Sequence, residues 1–308
     1  MSPWSATTRR EFLRKYLPLA AAVTAGLVLR AWHLAEFAGL PVFRYVTGAD
    51  VSEYWSRALA YAAGTGGLGP GIHGPLYPLF LAGLIRLCGG NIFAIRMTQA
   101  ALSMLSVVPF WLILRRFFAG RRDRLRFLPD VFAAVYVCYP PLVAMQCEFY
   151  AETLVLPLLA AAAWFYAGRP RTVRSMGFCG VFCGLAAAAH PLTVFFPALL
   201  GLATLFRGRD RLRRTAVFGA GCLLGVLVCV LPMNAGSGRF VPVQGGGAFN
   251  FWLGNSAYAD GTCRIPPGGE WDEVHLRPSE AGQSDTAYFL RDAWTSWRNP
   301  PANGLSPA

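Results

Sequence analysis

Arg207-Gly208-Arg209-Asp210-Arg211-Leu212-Arg213-Arg214 runs directly into Thr215-Ala216-Val217-Phe218-Gly219-Ala220-Gly221-Cys222-Leu223-Leu224-Gly225-Val226-Leu227-Val228-Cys229-Val230-Leu231-Pro232-Met233. A basic cluster is followed by a run with no charge at all, long enough for the roughly 20 apolar residues that a transmembrane helix needs. The same alternation recurs along the chain. Apolar stretches lie at 17–35, 75–89, 92–114, 127–147, 149–166 and 176–206. Three further clusters punctuate them: Arg9, Arg10, Arg14 and Lys15; then Arg115, Arg116, Arg121, Arg122, Arg124 and Arg126; then Arg169, Arg171 and Arg174. The four clusters hold 18 of the 28 basic residues.

Composition agrees. Of the 308 residues, 55% are hydrophobic and 14% charged, with a mean hydropathy of +0.40; soluble domains carry roughly 25% charged residues. That excludes most soluble fold classes. The net charge of +12 could suit nucleic acid, but the arginines alternate with apolar runs instead of striping one surface. Seven of the eight cysteines lie in or beside apolar segments, and Cys263 sits in a polar region. Cys179 and Cys183 are one helical turn apart with no His or second Cys pair to complete a zinc site, so the cysteines read as small packing residues.

Short loops rich in Lys and Arg stay in the cytoplasm. With all four clusters on that side, an even number of spans separates each neighbouring pair. Residues 127–168 then form one hairpin and 176–206 a tighter one turning near His190-Pro191. The stretch 75–89 is short and opens with two prolines, so it is expected to lie at the outer interface. The expectation is an all-α polytopic membrane protein of about seven transmembrane helices with outer juxtamembrane helices. It comprises a cytoplasmic N-terminus over 1–16, a transmembrane core over 17–233 with an outer catalytic loop at 36–91, and an outer segment over 234–308. No cleavage site follows the first apolar run, which reads as a retained span.

Four features rise above this background. The loop Thr47-Gly48-Ala49-Asp50-Val51-Ser52-Glu53-Tyr54-Trp55 leads into an amphipathic stretch and puts a carboxylate just outside a span; an ordinary helix N-cap would look the same. Glu148-Phe149-Tyr150-Ala151-Glu152-Thr153-Leu154 places two acids in a membrane hairpin turn, where charge is costly without water or a partner. Arg96, early in its span, could grip a phosphate or snorkel to the interface. Finally, Gln244-Gly245-Gly246-Gly247-Ala248-Phe249-Asn250-Phe251-Trp252-Leu253-Gly254-Asn255 combines glycines with Asn and aromatic residues suited to sugar recognition. No phosphate-loop Lys-Ser/Thr and no dinucleotide fingerprint is present. His33, His73, His190 and His275 are scattered, and His190 reads as structural.

Taken in order, these pieces resemble the membrane glycosyltransferases of the GT-C class, in the bacterial branch related to protein O-mannosyltransferases and the lipid A aminoarabinose transferase. The carriers are Asp50 with Tyr54, His73-Gly74-Pro75-Leu76-Tyr77-Pro78, Gly89-Gly90-Asn91-Ile92-Phe93-Ala94-Ile95-Arg96, Ala151-Glu152-Thr153-Leu154, Gly184-Leu185-Ala186 through His190-Pro191, and Gly246 through Asn255. The resemblance implies transfer of a sugar from a polyprenyl-phosphate donor to a lipid, glycan or protein acceptor on the outer face. It implies a multi-pass protein of the bacterial inner membrane with a cytoplasmic N-terminus.

It assigns Asp50 as general base or acceptor-positioning carboxylate, Glu152 as a second acid orienting acceptor or metal, and Arg96 and His73 near the donor phosphate. Glu53, Tyr54, Glu148, Asn250 and Asn255 join as substrate-binding candidates. No cofactor is called for, a divalent metal stays open, and membrane lipids but not nucleic acid are expected partners. Two positions depart from the pattern. Ala49-Asp50-Val51 lacks the Glu that many relatives place beside the Asp, which leaves open whether Glu53 substitutes for it, and Gly74 stands where aminoarabinose transferases have a phosphate-binding Lys. Relatives also continue through further spans, so a truncated product is expected, with an inactive fragment or a transport subunit as the alternative to an enzyme.

Overall fold

The computed structural model describes residues 6–46, 48–65, 71–119, 125–167, 172–206, 210–235, 240, 241, 243–257, 259 and 271–299, and among them every regular element is helical. The elements are α1 (Ala6–Ala38), α2 (Ala49–Ala63), α3 (Leu76–Leu87), α4 (Ile92–Met104), α5 (Val107–Phe118), α6 (Leu128–Cys138), α7 (Pro140–Cys147), α8 (Glu152–Ala167), α9 (Val173–Ala189), α10 (Phe195–Leu205), α11 (Arg211–Asn234), α12 (Gly247–Leu253), α13 (Trp271–Glu280) and α14 (Asp285–Arg298). The chain divides into two compact units, Met1–Val243 and Gln244–Ala308.

Among the described residues, three helices are long and apolar enough to cross a membrane: Arg14–Ala38, Ile92–Phe118 and Arg211–Asn234. The pair α6 and α7, bent by 52°, makes a fourth if counted as one span. Of the remaining expected spans, α8, α9 and the Pro191–Leu205 segment are apolar but shorter. Their helices stop inside the apolar stretches: Phe149 and Ala151 lie in the turn before α8, and His190 ends α9 in an extended conformation. Helix α3 has 12 residues, about 18 Å at 1.5 Å per residue, too short to span. Tyr77, Leu81, Leu84 and Ile85 of α3 pack with Val51, Tyr54, Ala58 and Tyr61 of α2. Those α2 positions recur at helical spacing, the amphipathic pattern expected there.

The bend between α6 and α7 has an identifiable cause. Pro140 and Pro141 lack the N–H groups that would continue the helical ladder, so the Val137 carbonyl, four residues before Pro141, loses its helical donor. Arg30, fully buried in α1, supplies the replacement by donating to Val137 O at 2.9 Å and Gly26 O at 3.0 Å. Its Nε donates to Gln146 Oε1 at 2.8 Å, and Gln146 Nε2 donates to Ser103 Oγ at 3.0 Å. One guanidinium thus ties α1, α4, α6 and α7 together, in keeping with the rule that freed backbone groups in a membrane must be re-satisfied.

Helices α9 and α11 approach more closely than side chains would permit. A Cβ on Gly180 or Gly184 would lie 2.1 Å from the carbonyl oxygen of Phe218 or Cys222. Gly221 and Gly225 face the reciprocal carbonyls of Gly177 and Val181, each at 2.4 Å. Both helices therefore carry a glycine-x3-glycine contact face. The seven described cysteines are all unpaired, and Cys179 and Cys183 are core residues here beside Met176 and Phe218.

The second unit has its own core of Phe249, Trp252, Val274, Phe289 and Ala293. Trp252 Nε1 donates to Asp292 Oδ2 at 2.5 Å, and Ser284 caps α14 by accepting from Ala287 N at 3.3 Å.

Candidate functional site

Gly48 adopts a φ of 118° and launches α2, so Asp50 falls in the first turn, with Glu53, Tyr54 and Arg57 following at helical spacing on the same side. The chain returns through Ile72 and His73 to meet that face. Glu53 Oε1 accepts from Ile72 N at 2.9 Å and pairs with Arg57 at 3.4 Å. His73 sits between two carboxylates: Nδ1 contacts Glu53 Oε2, and Nε2 lies 3.4 Å from Asp50 Oδ1. Its ring packs on Tyr54 at 4.9 Å, and Tyr54 meets Tyr77 edge-on at 5.0 Å. Glu53, three residues after Asp50, shares the same imidazole.

The electrostatics follow from this clasp. Burial of the His73 ring works against its charge, but Asp50 and Glu53 outweigh it and raise the imidazole to about 9. His73 is therefore an imidazolium at neutral pH. The hydrogen bond to His73 holds Asp50 below the usual carboxylate range, against partial burial. Burial pushes Glu53 up, but His73, Arg57 and the Ile72 amide bring it below its ordinary value. Burial pushes the Tyr54 phenol up, and the charges of Asp50, Glu152 and Glu53 add to the effect.

His73 reaches this position because of its neighbour. A Cβ on Gly74 would lie 2.4 Å from the Ala188 carbonyl oxygen and 2.9 Å from that of Ala189. A lysine at 74 would collide with the end of α9, and this contact is the physical reason for the glycine there. The same helix end presents His190, whose Nε2 lies 3.7 Å from Glu152 Oε1 at the start of α8. His190 also contributes, after His73, to the lowering of Asp50. Asp50, Glu53, Tyr54, His73, Glu152 and His190 thus share one electrostatic neighbourhood. Asp50 and Glu152 are its open members, with side chains 58% and 45% exposed, against 18% for Glu53 and His73.

Arg96 and Glu148 form a second, interior group. Arg96, 1% exposed, donates to Glu148 Oε2 at 2.6 Å and to Cys147 O at 2.8 Å. The guanidinium lies over Phe149 at 4.3 Å, Phe37 at 5.0 Å and Phe43 at 5.1 Å. Phe149 in turn stacks on Trp55 of α2 at 4.8 Å. Gln99 donates to Glu148 O at 2.5 Å and accepts from the Tyr77 hydroxyl at 3.1 Å. The arginine expected at a donor phosphate therefore has internal partners and props the wall on which α2 and α3 rest.

Asn250 and Asn255 lie in the second unit, Asn250 exposed on α12 and Asn255 donating to Phe251 O at 2.7 Å. Phe249 and Trp252, two aromatics of that glycine-rich stretch, are core residues. Among the described residues no group of three His, Cys, Asp or Glu side chains has a metal-holding arrangement.

Sequence reasoning passed over Arg57 and Gln99, and placed His190 among the structural residues. The signal for His190 was present: the basic residue-Pro match at His190-Pro191 closes the same span that Gly74 docks against.

An all-helical membrane bundle with a carboxylate–imidazole cluster at its helix ends is the class these observations define. Residues 72–234 match the dolichyl-phosphate-mannose-protein mannosyltransferase family, over more than half of the chain. The chain belongs to that family, and with it to the membrane glycosyltransferases. No curated protein and no solved structure matches it. The matched region contains His73, Arg96, Glu148, Glu152 and His190; Asp50 through Tyr54 precede it, and Asn250 and Asn255 follow it.

Proposed function

We propose that the protein transfers a sugar from a polyprenyl-phosphate donor to an acceptor hydroxyl, with Asp50 as the base and the reaction on the outer face of a bacterial inner membrane. The observation that carries this reading is the clasp at His73, which keeps Asp50 ionised yet leaves its carboxylate more than half exposed. An ionised, accessible carboxylate can take the acceptor proton as the acceptor oxygen attacks the anomeric carbon. The bond from that carbon to the phosphate oxygen breaks, and its electron pair leaves with the lipid phosphate. Attack from the opposite side inverts the anomeric centre.

Glu152, paired with His190, would orient the acceptor, and the imidazolium of His73 would offset charge on the departing phosphate. Arg96 and Glu148 would act as positioning residues, through Phe149 and Trp55. The outer-face assignment rests on charge: the cluster lies at the helix ends opposite Arg115 and Arg116, and short basic loops stay in the cytoplasm.

The test is Asp50→Asn in membranes supplied with polyprenyl-phosphate sugar. Sugar transfer should disappear while protein abundance stays at the wild-type level. Retained transfer would sink the assignment of the base, and absence of transfer by the wild type across polyprenyl-phosphate hexoses and pentoses would favour a non-catalytic membrane subunit.

A further inference from the structure

The end of the bundle remote from Asp50 holds a cavity of about 550 Å³ between α1, α5, α8 and the start of α6. That volume falls within the roughly 300–1,000 Å³ of ordinary ligand sites. The described residues that line it include Lys15, Arg115, Arg116 and Arg126, together with Leu112 and Trp164, and no carboxylate is among them. Among the described residues, Lys15, Arg115 and Arg116 form no ion pair with an acid. Asp130, on neighbouring α6, accepts from Trp111 Nε1 at 2.7 Å.

The cations are held in place by the fold. Arg115 donates to the Lys15 carbonyl at 2.5 Å and lies over Trp111 at 4.6 Å. Arg116 lies over Trp164 at 3.9 Å. These stacking contacts orient two guanidinium planes while leaving their charge uncompensated by any described acid, an arrangement suited to phosphate oxygens.

We propose that this cavity binds the phosphodiester head group of an anionic glycerophospholipid, a site separate from the sugar-transfer cluster. The occupant is a lipid because apolar side chains next in sequence to the lining residues Arg116 and Arg126 are exposed: Phe117 60%, Phe127 52% and Leu125 39%. Acyl chains can lie along that surface while the head group enters between α1, α5 and α8. Basic pockets between transmembrane helices bind anionic head groups in this way. A soluble phosphate would leave those apolar side chains exposed.

The experiment uses the full chain purified in neutral detergent and offered phosphatidylglycerol or phosphatidylcholine, with retained lipid read by native mass spectrometry. The wild type is expected to retain phosphatidylglycerol preferentially. Lys15→Gln and Arg116→Gln should each weaken retention about fivefold, and together about 25-fold. The control Arg211→Gln/Arg213→Gln removes two exposed charges outside the cavity lining and should change retention less than about twofold. The single variants keep the test meaningful should the double variant fail to fold. Equal retention of both lipids by the wild type, unchanged preference in the single variants, or an equal loss in the control would each overturn the proposal. So would displacement by free glycerol phosphate as effective as that by lipid.

Discussion

Replacing His73 by Gln removes the positive charge between Asp50 and Glu53 while keeping a hydrogen-bonding side chain. The magnitude follows from the clasp. Raising the imidazole from 6.5 to about 9 corresponds to roughly 3 kcal/mol of preference for the charged ring. Asp50 is more than half exposed, so solvent screens its share and the observable effect falls to about 1–2 kcal/mol. The sign is set by the direction of the shift: a raised value means stabilisation fully present below pH 6.5 and lost as pH rises through about 9. Thermal unfolding in detergent, followed by tryptophan fluorescence from pH 6 to 10, measures it. Wild-type stability should fall through the upper part of that window, and His73→Gln should lie lower at pH 6.5 and stay flatter. Coincident profiles, or a wild-type inflection near pH 6.5, would refute an imidazolium held by two carboxylates.

Four further substitutions test the scaffold. Arg30→Met should lower stability by about 2–4 kcal/mol, because Val137 O and Gln146 lose their donor in a buried setting; chemical unfolding in detergent reads it. Gly74→Ala should cost about 1–3 kcal/mol as the loop is lifted off α9, and sugar transfer should fall at least tenfold. Gly83→Ala, where a Cβ meets nothing, should leave transfer at the wild-type level. Glu148→Gln should destabilise by about 1–3 kcal/mol by leaving Arg96 buried without its carboxylate, measured as a lower unfolding midpoint.

Fold class and the approximate positions of the apolar helices up to α11 were legible in the sequence, because charge clusters and apolar run lengths are local signals, whereas α12, α13 and α14 carry no such signal. The region around Asp50 was legible too, as a polar loop interrupting an apolar chain. Span length was not, because helices stop and restart at prolines and turns inside apolar stretches: α7 ends at Cys147 and α8 begins at Glu152, beyond the turn at Phe149. Arg30 lay unnoticed within the stretch 17–35, although Pro140-Pro141 advertised a carbonyl in need of a donor. The pairing of Arg96 with Glu148 spans 52 residues of chain, and no periodicity reveals a contact at that separation. In the glycine-rich stretch 244–255, two of the three aromatic residues, Phe249 and Trp252, fill a core while Phe251 stays exposed, since composition alone does not distinguish a binding surface from a small hydrophobic interior.

The glycine contact between α9 and α11 also works as a ruler. Because each helix rests on the other's carbonyls, an axial slip of one residue would drive Val181 or Leu185 into backbone. The height of His190 is thereby indexed to α11, and through Gly74 on Ala188 the His73 loop takes its level from the same datum. Two histidines contributed by segments more than a hundred residues apart are thus levelled by a seam of four glycines that touches neither of them.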